Sequence, residues 1–355
     1  MKSFIDLHET FDGQPARIGV LLNGVDVGRG REELYRDQVP ELLGSLAEQT
    51  RIESIRASSA IEGVEVEPDR AERIAGERSA RFRNRNEKEF AGYRDAIDEL
   101  MRADALEQPS VPLMLHLHRR LYQHTGGRGG YLKTDDNLIT RRDERGRREV
   151  IFKPPPWQET EALVAELFAR YGDASDRGAA PPLVLLSALV VDLLAIHPVA
   201  DGNGRVARLL TTHELLRLDY GVARYVSVEQ QIYESRNSYY EALGEAQHCW
   251  HEAEHQIWPW TEYLLRVLDE AYTLFEARVA AARSMEGMTK QQRVRRHVLG
   301  SGVGQFRLRD LRKALPGISD QTFRIVLGEL KQEGKVEPRG SGPGAIWVLL
   351  DRSDD

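Results

Sequence analysis

One apolar run, Leu183–Ile196, constrains the fold more than any other feature of this chain. It carries Asp192 and is too short to span a bilayer. Pro198 disfavours helical geometry at His197, so a helix over the run must stop there. The segment that follows, His197-Pro198-Val199-Ala200-Asp201-Gly202-Asn203-Gly204-Arg205-Val206-Ala207-Arg208, concentrates chemistry. Gly202 and Gly204 allow close backbone approach to a ligand or positive φ. A second helix beginning near Asn203 would turn its free N–H groups toward the loop, an arrangement that binds phosphate. Arg205 and Arg208, three apart, share one face of that helix and can grip further anionic oxygens. Asp201 offers a hard oxygen for a magnesium ion arriving with phosphates. His197 has a pKa suited to general-base work. The residues describe a phosphate-and-metal cradle with a base at its lip; the alternative is a capped helix corner with a core histidine.

The full run resembles the signature of Fic-domain proteins, His-Pro-Phe-x-Asp/Glu-Gly-Asn-Gly-Arg-x-x-Arg, at every position but one. Val199 stands where that family has Phe, a change of packing. The resemblance implies a mainly α fold: a Fic helical core with a β-hairpin flap. It also implies transfer of AMP from ATP to a Ser, Thr or Tyr hydroxyl of a protein, the chain itself included. In that scheme His197 deprotonates the hydroxyl and Asp201 holds Mg2+. Gly202, Asn203 and Gly204 stabilise charge on the transferred phosphate, and Arg205 and Arg208 hold the outer phosphates. Gly204 disfavours the phosphotransferase relatives, which carry Lys there. Other nucleotide donors and removal of AMP assisted by Glu62 are open alternatives, as is a DNA-binding transcriptional regulator whose Fic core senses nucleotide.

A second motif, Ser58-Ser59-Ala60-Ile61-Glu62-Gly63, lies at the end of a helix expected over Arg51–Gly63, with a separate helix over Pro40–Gln49. A carboxylate in a last helical turn opposes the helix dipole and calls for a cationic partner. The segment is similar to the inhibitory Ser/Thr-x-x-x-Glu-Gly/Asn motif of Fic proteins. That likeness implies that Glu62, with Ser58, pairs with Arg208 and displaces the nucleotide's γ-phosphate.

Other elements follow from periodicity. Helices are expected over Glu87–Ala103, Val111–Tyr122, Glu159–Tyr171 and Trp260–Ala282. His116, His118 and His124 read as helix-surface or core residues. Asn137–Thr140 and Glu149–Phe152 flank a polar turn containing Gly146, which is a hairpin pattern; it either connects elements or, by resemblance, is the flap that registers a target's backbone. Val226–Leu243 reads as one helix with Tyr233 and Tyr240 on one face; the Fic resemblance implies that they line an adenine site, and plain aromatic packing is the alternative. His251-Glu252-Ala253-Glu254-His255 satisfies H-E-x-x-H, the pattern of a zinc metallopeptidase, but the charged Glu254 inside it and Trp258-Pro259-Trp260 after it argue against that reading.

The totals are those of a soluble protein: 41% hydrophobic and 30% charged residues. The N-terminus lacks the apolar core of a signal peptide, and a single Cys249 fits a reducing compartment, so a cytoplasmic location without membrane contact is expected. Three regions are expected: an N-terminal helical region over 1–105, a catalytic core over 106–285 and a third domain over 286–355. Gly287–Leu350 holds twelve Lys/Arg against five Asp/Glu within a chain of net charge −7. Its helices over Gln291–Leu299, Leu308–Ala314 and Ser319–Glu333 and its strands over Val336–Pro338 and Ala345–Leu349 resemble a winged helix-turn-helix domain. The charge and that likeness imply DNA contact through Gln321, Thr322, Arg324 and Lys331, with Arg339 on the wing; protein contact or a homodimer is the alternative.

Overall fold

The computed structural model describes residues 2–5, 13–36, 38–76, 81–103, 105–127, 129–142, 148–283, 288–300, 304–315, 318–340, 342 and 344–350. The turn expected around Gly146, Arg128 of the glycine-rich loop, Ser341 and Pro343 of the last hairpin and the Asp351–Asp355 tail lie outside them. The chain forms two compact units, Met1–Glu276 and Ala277–Asp355.

The first unit is mainly helical. In order it contains α1 (Ala16–Arg36), α2 (Pro40–Ile61), α3 (Pro68–Gly76), α4 (Arg85–Arg102), α5 (Val111–Tyr122), the hairpin strands β1 (Ile139–Arg142) and β2 (Arg148–Phe152), α6 (Trp157–Asp176), α7 (Pro182–Ile196), α8 (Asn203–Arg217), α9 (Val228–Glu234), α10 (Arg236–Gln247) and α11 (Trp258–Arg283), within which the division falls. Helices on both sides of residue 105 pack into this one unit, α4 against α5 and α2 against α9.

The apolar run sets the architecture. Every residue of α7 from Leu183 to Ile196 is buried, because a helix apolar on all faces is stable only when other helices enclose it. Each such Leu, Val or Ile contributes about 1.5–3 kcal/mol by leaving water. α6 packs on one side and α8, its successor in the chain, on another. Asp192, the one charged residue of α7, is buried, and it accepts the Ser3 N–H (3.1 Å), the Ser3 hydroxyl (2.7 Å) and the Trp250 indole N–H (2.7 Å). Burial pushes its pKa up to about 6. The crossing of α4 and α5 is close enough that Gly92 has no room for a Cβ against the Leu121 carbonyl.

Several expectations are corrected. Pro40–Gln49 and Arg51–Gly63 are a single helix, α2, because nothing between Gln49 and Arg51 breaks it; Thr50 is simply buried. α1 carries four glycines, which hide it from periodicity. Gly28 is required there, since a Cβ would strike the Tyr272 ring. Val226–Leu243 is two helices, capped at Ser227 and broken at Ser235, whose hydroxyl bonds back to the Gln231 carbonyl at 2.7 Å.

The hairpin is antiparallel, with Thr140 opposite Val150 and Ile139 opposite Phe152. Among the described residues no helix is long and apolar enough to cross a membrane.

The second unit contains α12 (Lys290–Gly300), β3 (Gln305–Arg307), α13 (Leu308–Ala314), α14 (Asp320–Gln332), β4 (Val336–Arg339) and β5 (Ile346–Leu349). Its sheet is antiparallel in the order β3-β5-β4. The three-residue β3 is too short to read from sequence. The core gathers Val294, Val298, Phe306, Leu311, Phe323, Val326, Leu327, Leu330 and Val336. Ser319 caps α14 by accepting the Thr322 N–H at 3.3 Å.

Candidate active site

The site forms where α7 ends and α8 begins. α7 stops at Ile196, and His197 takes the left-handed conformation (φ 52°, ψ 60°) that a non-glycine residue rarely adopts. Gly202 makes the second sharp turn (φ 85°) and is the N-cap of α8. Between these turns Asn203 ties the loop to itself. Its Oδ1 accepts the Val199 N–H at 3.0 Å and its Nδ2 donates to the Val199 carbonyl at 2.7 Å. The amide of Gly-Asn-Gly is thus a brace, and the flanking glycines leave the α8 N-terminus open.

The His197 ring is partly buried, and Nδ1 lies 3.3 Å from the Leu194 carbonyl. A carbonyl only accepts, so Nδ1 carries the proton and Nε2 is the free base. Burial first, with the nearby Lys133 ammonium adding to it, lowers the pKa to about 4; Glu62 and Asp201 act in the opposite direction. His197 is therefore neutral at physiological pH, as a proton acceptor must be.

The two arginines are held differently. Arg205 is buried: Nη1 donates to Glu89 Oε2 at 2.6 Å and Nη2 to the Tyr122 hydroxyl at 2.9 Å. Arg208 is equally buried: Nε donates to the Ser58 hydroxyl at 2.9 Å, and Nη2 to the Ser58 carbonyl at 3.2 Å and to Glu62 Oε1 at 2.8 Å. Glu62 sits at the C-cap of α2 with its side chain 30% exposed. Its carboxylate lies over Gly204, where an added Cβ would collide with it. Arg205 Nε and Arg208 Nη1 are buried without hydrogen-bond partners among the described residues, so the face keeps donor capacity for an anion.

Asp201 is exposed; Arg85 Nη2 lies 3.3 Å from Oδ2 and Arg205 Nη2 4.0 Å from Oδ1. One exposed carboxylate at the loop fits magnesium held mostly by nucleotide phosphates and water. Tyr233 and Tyr240 lie on different helices, α9 and α10, and so do not share the face expected of one helix. Tyr240 is exposed and meets the buried Tyr239 edge to face at 5.0 Å. Tyr239, which sequence reading passed over, lies within reach of the Arg208 guanidinium.

Further residues were invisible in sequence because their partners are distant. Glu89, Tyr122, Lys133 and Asn137 all touch the loop or its arginines. Lys133 is 3% exposed, and burial lowers its pKa. His118 is buried, accepts the Gly130 N–H on Nδ1 at 3.0 Å and has its pKa lowered by burial to about 4. His116 pairs with Glu99 at the surface, and the half-buried His124 pairs with Asp95.

The H-E-x-x-H helix is absent: residues 251–253 form turns, Ala253 has φ 61°, His251 meets the Lys153 carbonyl at 2.9 Å and His255 the Ser3 hydroxyl at 2.7 Å. The two imidazoles are thus engaged with different partners, and among the described residues no group of three or more His, Cys, Asp or Glu could hold a metal.

Comparison with known proteins agrees with this geometry. Residues 108–215 match the model of the Fic/DOC family. A Fic family protein from Desulfovibrio desulfuricans G20 is similar over 96% of this chain and 98% of its own, at 23% identity and a TM-score of 0.61. A Fic domain containing signaling protein from Bacteroides thetaiotaomicron VPI-5482 is similar over 75% of this chain and 98% of its own (22% identity, TM-score 0.58). Fic-1 from C. elegans covers 76% of this chain with 74% of the solved fragment (19% identity, TM-score 0.56). At such identities the structural likeness speaks to fold, and the family match to the segment that contains the loop. The stretch from α5 to α8, which holds the loop, is thus the part of this chain that matches the Fic/DOC family model.

Proposed function

We propose that the chain is a self-restrained protein adenylyltransferase, moving AMP from ATP to a Ser, Thr or Tyr hydroxyl. One observation carries this reading: the Glu62 carboxylate, an anion, rests on Arg208 over the N-terminus of α8, where a helix N-terminus and an arginine would otherwise receive phosphate oxygens. His197 Nε2 accepts the hydroxyl proton as the oxygen attacks the α-phosphorus; the bond from that phosphorus to the bridging oxygen breaks and pyrophosphate leaves. The α8 amides stabilise charge developing on the phosphoryl oxygens, and Arg208 orients the outer phosphates once Glu62 withdraws. Asp201 would hold magnesium, which supplies neutralising charge to the phosphates. Arg205, its Nη atoms engaged by Glu89 and Tyr122, acts chiefly as support.

Incorporation of labelled AMP from ATP with magnesium tests this in three proteins: wild type, Glu62→Gly and Glu62→Gly/His197→Ala. Labelling that is strong in the single variant and lost in the double one is expected. No labelling in any of them, while each is folded and binds nucleotide, would overturn AMP transfer; the same assay with other nucleotides then identifies the donor.

A second reading concerns Ala277–Asp355. Gln321, Arg324, Ile325 and Lys331 are exposed on α14, opposite its buried Phe323, Val326, Leu327 and Leu330. Gly328 is half-buried beside these positions, and a Cβ there would meet nothing within 4 Å. A mid-helix glycine that costs about 1 kcal/mol without internal need suits close approach by an outside partner. With the positive charge of this module, duplex DNA is the partner we favour, with Arg324, Lys331 and Arg339 on its backbone. Binding to duplex DNA that weakens steeply with salt, and more gently in Lys331→Ala, is expected. Binding to a protein ligand with no salt-dependent DNA affinity would overturn it.

A further inference from the structure

We propose that Lys133 and Asn137 form a clamp that holds His197 in its working orientation, as positioning residues for the reaction proposed above, on whose reading this inference rests. The left-handed backbone at His197 is strained for an imidazole-bearing residue, and such conformations persist only when the surroundings over-determine them. Here the surroundings are specific. Ending α7 at Ile196 leaves a run of carbonyls without helical partners. Lys133 Nζ donates to the Ile196 carbonyl at 3.1 Å, Asn137 Nδ2 to the His197 carbonyl at 3.3 Å, the Lys133 backbone N–H to the Pro198 carbonyl at 2.9 Å, and Asn137 Nδ2 again to the Val199 carbonyl at 3.2 Å. Two residues thus serve four consecutive carbonyls around the base.

The choice of lysine is informative. Its ammonium is buried, and among the described residues its hydrogen bonds go to neutral acceptors: Asn137 Oδ1 at 3.0 Å, the Pro155 carbonyl at 3.1 Å and the Ile196 carbonyl, with the Asp136 carboxylate acting on it only through space. A buried cation without a hydrogen-bonded carboxylate is costly to fold around. The position makes use of the charge. It sits on the negative end of α7, and it faces the imidazole, whose other charged neighbours, Glu62 and Asp201, are both acidic. A fixed cation there opposes protonation of the base. Pro155 lies just beyond β2, so the same ammonium ties the foot of the hairpin to the loop.

The test is NMR of ring-labelled His197 across pH in wild type, Lys133→Met, Lys133→Arg and Asn137→Ala, with thermal unfolding as the fold control. In wild type the ring should remain in the Nδ1–H form until about pH 4. Lys133→Met should titrate at higher pH, Asn137→Ala should show mixed tautomers, and Lys133→Arg should behave as wild type. In the Glu62→Gly background, Lys133→Met and Asn137→Ala should each slow transfer by about tenfold to a hundredfold, with nucleotide affinity unchanged.

A wild-type titration and tautomer in both folded variants would overturn the clamp. Where Lys133→Met does not fold, Asn137→Ala, which removes the side-chain donor to the His197 carbonyl and one of the two to the Val199 carbonyl, decides alone. The NMR readout needs no transfer, so failure of the adenylyltransferase reading and failure of the clamp remain separable.

Discussion

Arg205 and Arg208 stand three residues apart on α8, each 3–4% exposed and each paired with a glutamate, yet the two pairs are built for different lives. Glu89 is 5% exposed and projects from the middle of the first turns of α4, with Tyr122 completing the cage of Arg205. Glu62 is 30% exposed and stands at the C-cap of α2, just past its last residue. Releasing Glu89 would strand two buried charges, whereas releasing Glu62 returns a carboxylate to water and leaves Arg208 bonded to Ser58. The lesson is that arginines alike in spacing and burial are set apart by the exposure of their partners: one partner is locked in, the other can leave for water.

The sharpest way to break this comparison is to delete each glutamate. Glu89→Ala leaves Arg205 buried without its counter-charge and should cost about 3–5 kcal/mol, read by denaturant unfolding. A loss no greater than that of Glu62→Gly would abolish the distinction.

Acid provides the next largest effect and acts elsewhere. His118, His197 and His255 have pKa values lowered by burial to about 4. The unfolded chain protonates near 6.5 and the folded one does not, so stability falls as pH drops from about 6.5 toward 4. Asp192, raised to about 6, runs the other way: its folded form takes up the proton first and offsets part of the loss. A net decline of about 5 kcal/mol is expected, and Glu89→Ala should lower the whole curve while keeping its slope between pH 6.5 and 4.5. A flat curve would contradict the neutral, buried imidazoles.

Glu62→Gly itself should cost only about 1–2 kcal/mol while raising AMP labelling, the opposite signs that mark a brake. Smallest of all, Tyr122→Phe removes one hydrogen bond to Arg205 and should cost about 1 kcal/mol, with transfer in the Glu62→Gly background little changed.

What was legible in the sequence is what depends on neighbours in the chain. Pro198 after an apolar run announces where α7 ends, and Gly202 before Asn203 announces where α8 begins, because both are local backbone constraints. The pairing of Glu89 with Arg205 could not be read, since it joins residues 116 positions apart. Lys133 stood in a plain loop segment, and only the folded chain shows its ammonium meeting Ile196 and Pro155. The break at Ser235 was missed because serine is compatible with a helix until its hydroxyl takes the Gln231 carbonyl. α1 was missed because four glycines interrupt its pattern, of which Gly28 answers to Tyr272 and not to anything within the helix.

The most direct test of the central claim, that Glu62 stands where outer phosphates belong, is calorimetric titration with ATP and with AMP, each with magnesium, in wild type and Glu62→Gly. ATP should bind the variant about tenfold tighter or more, while AMP, lacking those phosphates, should bind both proteins alike. Equal ATP affinity in the two proteins, or an equal gain for AMP, would contradict the account.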